Sequence, residues 1–386
     1  METEVIKVVD VIVEKLGVEF IDKFINIYND LGKAYLKFIK IDRENKTHQE
    51  IADITGVGRV TITEWIRYNQ IPWSIKAILE IYNKKFHKIP WHVLARIIGW
   101  GMGDGGIDKR PHYFFFCSGK KDLEKAKLYI EKYTKLKSYM KRNKTVGNFT
   151  KYDGKIKNFS GDNWILRISD TSFARFLCAL GLPKGSKVTQ EFLIPEWIFN
   201  GNKQVKKEFI SALFECELER FRLQYQEKKT YTKVIINAPI FGMCKIEKYT
   251  QNLNEFLNQI RYMTAEFDIK TSSLSMPIKS NLRKDGNITY FVRFNVRSSS
   301  ENILKFSETI DLKFNRDKRE TLKVVVKEAK KKIERELDIV EKYNKSQILF
   351  EKGYNFSEIA RELGITHPTA KQWVIIKNHL PRRIEK

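Results

Sequence analysis

A chain of 386 residues, 42% of them hydrophobic and 12% aromatic, is long enough for two or three domains with cores of their own, which argues against a disordered or fibrous polypeptide. Lys and Arg outnumber Asp and Glu by 71 to 47, and this formal charge of +24 is spread along the chain, as a polyanion partner or a heavily charged surface requires. Four distant cysteines with no C-x-x-C pair, no apolar run of membrane-spanning length, and acids within residues 1–40 (Glu2, Glu4, Asp10, Glu14) argue against a zinc ribbon, a disulfide scaffold, a membrane span and a targeting peptide, and lead to the expectation of a cytoplasmic protein.

The N-terminal segment, residues 1–88, reads as helical. Within it residues 50–66, "EIADITGVGRVTITEWI", align without a gap on residues 358–374, "EIARELGITHPTAKQWV", near the other end of the chain. Identities fall at Glu50/Glu358, Ile51/Ile359, Ala52/Ala360, Gly56/Gly364, Thr61/Thr369 and Trp65/Trp373. A small residue lets two helices approach, and a glycine four residues on can turn the chain sharply. Both copies resemble the helix-turn-helix family. That resemblance implies a second helix that enters the DNA major groove, with Arg59, Thr63, Glu64 and Arg67 outward in the first copy. In the second copy the outward residues are His367, Lys371 and Gln372, and Pro368 suits an early helical turn.

Between the copies lie two similar segments, expected at residues 89–200 and 201–335. Each opens with a helix that ends in an acid, at Asp104 and at Glu217. Strand-like runs follow ("HYFFFCS"; "RFRLQYQ" and "KVIINAPIFGMCKIEKY"), then a charged helix, then a strand leading into a short helix. A Lys- and Glu-rich amphipathic helix at roughly residues 316–343 connects this core to the C-terminal segment, residues 336–386.

The first acid-ending helix carries "IIGWGMGDGG", although each glycine inside a helix costs about 1 kcal/mol relative to alanine. Superposing it on "ISALFECEL" puts Gly99 over Ala212, Gly103 over Cys216 and Asp104 over Glu217. Small residues at i, i+4 make a smooth face on each helix, so two such helices can pack closely and bring their acids together. Gly101 falls off that face.

These residues, with "LGLPKGSK" at 180–187, resemble the LAGLIDADG homing endonuclease family in its single-chain, two-motif form. The resemblance implies an α+β fold: a pseudo-twofold pair of αββαββα halves forming a β-sheet saddle, here flanked by N- and C-terminal all-α helix-turn-helix domains. It further implies a monomer with internal pseudo-twofold symmetry that hydrolyses phosphodiester bonds of double-stranded DNA at a long asymmetric site. Mg²⁺, or Mn²⁺, would be held by Asp104 and Glu217 with help from the backbone carbonyls of Gly103 and Cys216, and Lys187 and Lys318 are the candidate assisting lysines. The second motif departs from the pattern, with Leu218 where glycine is expected and Glu219 after it. Glu215 is a further acid that should point to another face. The alternative reading is a non-cleaving DNA-binding regulator on a decayed core of this kind. An RNA-binding maturase leaves the helix-turn-helix copies unexplained, and a chain that starts at Met1 and ends "RRIEK" is not expected to be an intein.

Overall fold

Caps and turn residues cut the N-terminal quarter into six helices. The computed structural model describes residues 2–228 and 232–376. It begins with α1 (Glu2–Leu16), α2 (Val18–Tyr28), α3 (Gly32–Phe38), α4 (His48–Thr55), α5 (Arg59–Tyr68) and α6 (Trp73–Asn83). A capping box between Thr47 and Glu50 starts α4, and Gly56, left-handed at φ 74°, ends it. The repeated tryptophan of this copy, Trp65, packs on Tyr35 and Phe38 with ring centroids 5.2 and 5.1 Å away.

The first central half runs α7 (Trp91–Met102), β1 (Gly105–Ile107), β2 (Phe114–Ser118), α8 (Lys120–Thr134), β3 (Tyr139–Lys151), β4 (Ile156–Ile168) and α9 (Thr171–Ala179). A short α10 (Glu196–Phe199) leads to the second half. That half runs α11 (Lys203–Glu217), β5 (Arg222–Glu227), β6 (Thr232–Asn237), β7 (Ile240–Ile246), α12 (Thr250–Ala265), β8 (Ile278–Leu282), β9 (Ile288–Asn295) and α13 (Ser300–Thr309). Seven strands form one antiparallel sheet in the order β1-β2-β4-β3-β8-β9-β7, while β5 and β6 pair separately. The halves join edge to edge where Thr150 pairs with Leu282 and Lys151 with Asn281. Read outward from that seam, β3-β4-β2 on one side answers β8-β9-β7 on the other.

The αββαββα halves implied by the resemblance have two strands on each side of the charged helix, whereas the residue pattern alone marks fewer: β1, β3 and β8 carry no strand signal of their own, and "KVIINAPIFGMCKIEKY" divides into β6 and β7. The β3–β4 hairpin is largely exposed, with Val146 85% accessible, so it lacks the apolar alternation that marks a half-buried strand. The first motif helix is also shorter than expected. It ends at Met102, so Asp104 lies beyond it in the turn that enters β1.

The long helix α14 (Arg316–Glu351) outruns its expected end by two turns. It leads to α15 (Phe356–Leu363), α16 (His367–Lys371) and a π-helical turn, Gln372–Ile376. Here too a capping box, Asn355 with Glu358, opens the first helix of the repeat, and a left-handed Gly364 closes it. The N-terminal helices share a continuous apolar core with the centre: Phe20 meets Phe176 at 5.5 Å and Phe86 meets Phe173 at 5.2 Å. The C-terminal helices bury a separate cluster of Ile359, Ala360, Leu363, Ala370 and Val374. Among the described residues, no helix is long and apolar enough to cross a membrane.

Candidate active site

The site begins at the crossing of α7 and α11. A Cβ at Gly99 would lie 2.7 Å from both the Ala212 Cβ and the Phe209 carbonyl oxygen, and one at Gly103 would lie 2.5 Å from the Cys216 Cβ. No side chain fits at either place, so the two backbones touch in the register expected from the sequence. Gly101, unplaced by that reasoning, faces Leu182, whose Cδ2 would sit 2.5 Å from an added Cβ. Gly105 is needed for the turn into the sheet, since a Cβ there would meet the Phe115 and Trp100 carbonyl oxygens at 2.5 and 2.7 Å.

Leu218, the departure in the second motif, occupies an extended conformation at φ −73° that any residue adopts. Its side chain is buried, it bridges to Phe241, and the Glu219 N–H donates to the Ile240 carbonyl at 2.8 Å. The second half therefore enters its sheet without the glycine that Phe115 and Trp100 impose on the first.

This crossing brings Asp104 and Glu217 into electrostatic contact. Desolvation, then the Asp104 charge, push the Glu217 carboxyl up to about 7, against the pull of Lys187 and Lys318. Asp104 is open to solvent on one side, and the protein packed against its other side raises its carboxyl despite the same two lysines. Two crowded carboxylates, both pushed toward the neutral acid, are a place where a cation relieves repulsion.

Each lysine closes the C-terminal end of one motif helix. Lys187 Nζ donates to the carbonyls of Gly101, Met102 and Gly105 at 3.1, 2.9 and 3.0 Å, and also to that of Gly103. Lys318 Nζ donates to the carbonyls of Phe214, Glu215 and Cys216 at 3.2, 2.7 and 2.8 Å. Most of these carbonyls lie in the last turn of their helix, at the negative end of its dipole, where a lysine ammonium satisfies them; the Phe214 carbonyl also accepts from the Leu218 N–H, and Gly105 lies beyond α7, in β1. Burial depresses both lysine pKa values, and the neighbouring acids oppose it. The carbonyls of Gly103 and Cys216, expected beside a metal, thus serve first as lysine acceptors, each with a second lone pair remaining.

Among the described residues, no three His, Cys, Asp or Glu side chains converge as a metal-binding group. Two carboxylates leave most of a coordination sphere to water and phosphate oxygens. Mg²⁺, which keeps several waters and is commonly held by one or two carboxylates plus phosphates, fits such a donor set, whereas a zinc-type cage does not.

Glu215 points away, as its spacing suggests. Fully buried, it accepts from Arg96 Nη1 at 3.1 Å, Trp100 Nε1 at 2.9 Å and the Phe314 N–H at 2.9 Å. Arg96 is itself fully buried and also pairs with Glu208. Sequence reasoning passed over this network; its signal is a lone arginine inside the apolar run "HVLARIIGW".

The expected DNA-reading residues lie on the outlying helical units. Arg59 and Arg67 are exposed on α5. Thr63 and Glu64 are half-buried, and the Thr63 hydroxyl is engaged within the unit, donating to the Arg59 carbonyl at 3.0 Å and lying 3.0 Å from His48 Nδ1. In the second copy His367 and Lys371 are exposed, with the His367 ring edge-on to Phe356, while Gln372 is half-buried. A further cationic surface, not singled out from sequence, is the exposed hairpin bearing Lys141, Arg142, Lys144 and Lys157.

No protein-family model matches the chain. It is 31% identical over 218 residues to the tRNA-splicing ligase RtcB of Methanocaldococcus jannaschii, covering 55% of this chain and 21% of the relative. From the same organism, the DNA-directed RNA polymerase subunit Rpo1N is 29% identical over 219 residues, covering 55% and 16%. The replication factor C small subunit is 26% identical over 319 residues, covering 75% and 16%. The chain thus spans about a fifth of the length of the curated relatives it matches. Among solved structures, a variant of I-DmoI in complex with its target DNA and in the presence of manganese matches at a TM-score of 0.31 and 14% identity, over 57% of this chain and 93% of that one.

Proposed function

We propose that this chain is a metal-dependent endonuclease of double-stranded DNA, of the LAGLIDADG homing type. The observation that carries the reading is the pair Asp104 and Glu217, the first just beyond the end of α7 and the second at the end of α11, two helices whose glycine, alanine and cysteine contacts let the backbones approach closely. Asp104 and Glu217 would hold Mg²⁺ or Mn²⁺, and a cation so held polarises a phosphoryl oxygen and lowers the pKa of bound water. Lys187 and Lys318 keep positive charge at the helix ends, where it would offset the charge of a phosphodiester.

The matches to a ligase, a polymerase subunit and a replication factor each cover more than half of this chain, so any two of them overlap in it. That stretches of this chain resemble proteins of such different names, two at a time, supports an activity separate from all of theirs. The formal charge of +24 and the two helix-turn-helix copies support a long duplex as substrate.

The test is incubation with a randomised duplex library and Mg²⁺ or Mn²⁺, followed by sequencing of cut ends beside bound, uncut DNA. Cutting at a defined site, lost by at least a hundredfold in Asp104→Asn with binding retained, is the expected result. Tight, sequence-specific binding without cutting in either metal would replace this reading with a non-cleaving regulator.

A further inference from the structure

We propose that the C-terminal helical unit reads the same duplex as the carboxylate pair, at a distance and angular phase fixed by the single helix α14; this rests on the endonuclease reading. The helix is 36 residues long and contains neither glycine nor proline, so nothing in it breaks the hydrogen-bond ladder.

One end of α14 is built into the site. Asn315 caps it, accepting from the Lys318 N–H at 3.1 Å and donating from Nδ2 to the Glu215 carbonyl at 2.8 Å. Lys318, in its first turn, holds the last carbonyls of α11. The Arg316 N–H donates to Asp122 of the other half at 3.1 Å.

The other end is built into the C-terminal unit. Tyr343 packs against Trp373 at 5.9 Å, Gln347 Nε2 donates to the Trp373 carbonyl at 3.0 Å, and Phe350 stacks on Phe356 at 5.6 Å. The unit is therefore clamped to the helix and not strung from it.

Between Ala329 and Ser346 no residue is buried, and that interval spans about 26 Å of helix. Ion pairs Asp338–Lys342 at 2.9 Å and Glu341–Lys345 at 2.7 Å run acid to base at i, i+4, the orientation that stabilises an isolated helix. A flexible tether would allow the unit to find DNA at many offsets. A rod allows one, because each residue adds about 1.5 Å and about 100°. The exposed Arg361 and Lys371 supply positive charge, and the exposed His367 a ring with hydrogen-bonding nitrogens, which a duplex backbone and base edges take.

The experiment is nuclease footprinting of the full chain on a duplex selected from a randomised library. Two insertion variants, both placed after Lys332, are compared with the parent. Two helix-forming residues turn the unit by about 200°, whereas seven return it to within about 20° and carry it about 10 Å outward. The parent is expected to protect a flank beyond the region covered by its core. The two-residue insertion loses that flank while core protection and the cut position stay. The seven-residue insertion recovers it, displaced outward by up to about three base pairs. A flank that is absent in the parent, or unmoved in both variants while the core still protects, overturns the proposal. A parent that neither protects nor cuts any selected duplex refutes the endonuclease reading instead.

Discussion

Glu217 holds its proton more tightly in the folded chain than in the unfolded one, because burial and the Asp104 charge raise its carboxyl from the ordinary 4.5 to about 7. A raised carboxyl contributes stability that is complete below the unfolded value and is lost as pH rises through the folded one. In metal-free protein this group therefore makes folding less favourable between about pH 4.5 and 7. A divalent cation held there would compete with that proton, so its affinity should rise over the same window. Thermal melts at pH 5 and pH 8, with chelator and with Mg²⁺, test both statements. Mg²⁺ should raise the melting temperature clearly at pH 8 and little at pH 5. Glu217→Gln should stabilise the metal-free protein at pH 8 by about 1 kcal/mol and abolish the response to Mg²⁺. A parent melt indifferent to Mg²⁺ at pH 8 would remove the metal from the site. This pair was legible in the sequence because helical spacing and residue size alone align the two motifs. The Arg96–Glu215 network was not, since a buried ion pair leaves no periodic trace until the fold brings its partners together.

The same distinction governs the helix crossing. Gly99 and Gly103 announce themselves by an i, i+4 spacing matched in the second motif, whereas Gly101 answers to Leu182, from the segment that closes the first half. The difference has an energetic consequence. Alanine at position 99 would press on the Phe209 carbonyl, part of a rigid backbone, while alanine at 101 presses on the tip of a side chain. Each substitution gains about 1 kcal/mol of helix propensity and loses about 1 to 3 kcal/mol to overpacking. Gly99→Ala should therefore destabilise clearly. Gly101→Ala should come closer to neutral and should couple to Leu182→Ala in a double-mutant cycle measured by denaturant unfolding. Equal costs at 99 and 101, with no coupling to Leu182, would mean that the crossing relaxes as a whole. The strands β3 and β8, implied by the family resemblance, escaped the residue pattern for a related reason. Residues that face solvent on both sides of a sheet carry no burial pattern, so charge and turn glycines are all that mark them.

At the scale of the molecule, the two copies of the helical repeat look equivalent in sequence but are attached differently. The C-terminal copy buries its own small cluster against the end of α14, and the central core stops at Ala329. The N-terminal helices instead complete that core: Phe20 and Phe86 cover Phe176 and Phe173, and Lys84 pairs with Asp170 at 2.6 Å. Burying a phenylalanine is worth about 1.5 to 3 kcal/mol, so losing several such contacts removes much of a domain's net stability of about 5 to 15 kcal/mol. A chain ending after Lys332 should keep the main melting transition within a few degrees and still cut DNA, with weaker or less selective binding. A chain beginning at Ile89 should melt far lower, or aggregate through the uncovered α9 face, even though its carboxylates, lysines and motif helices are intact. Calorimetry and light scattering on the two truncated proteins decide the matter. If the shorter N-terminal deletion product folds as well as the parent, the apolar contacts across α9 are not what holds the two units together.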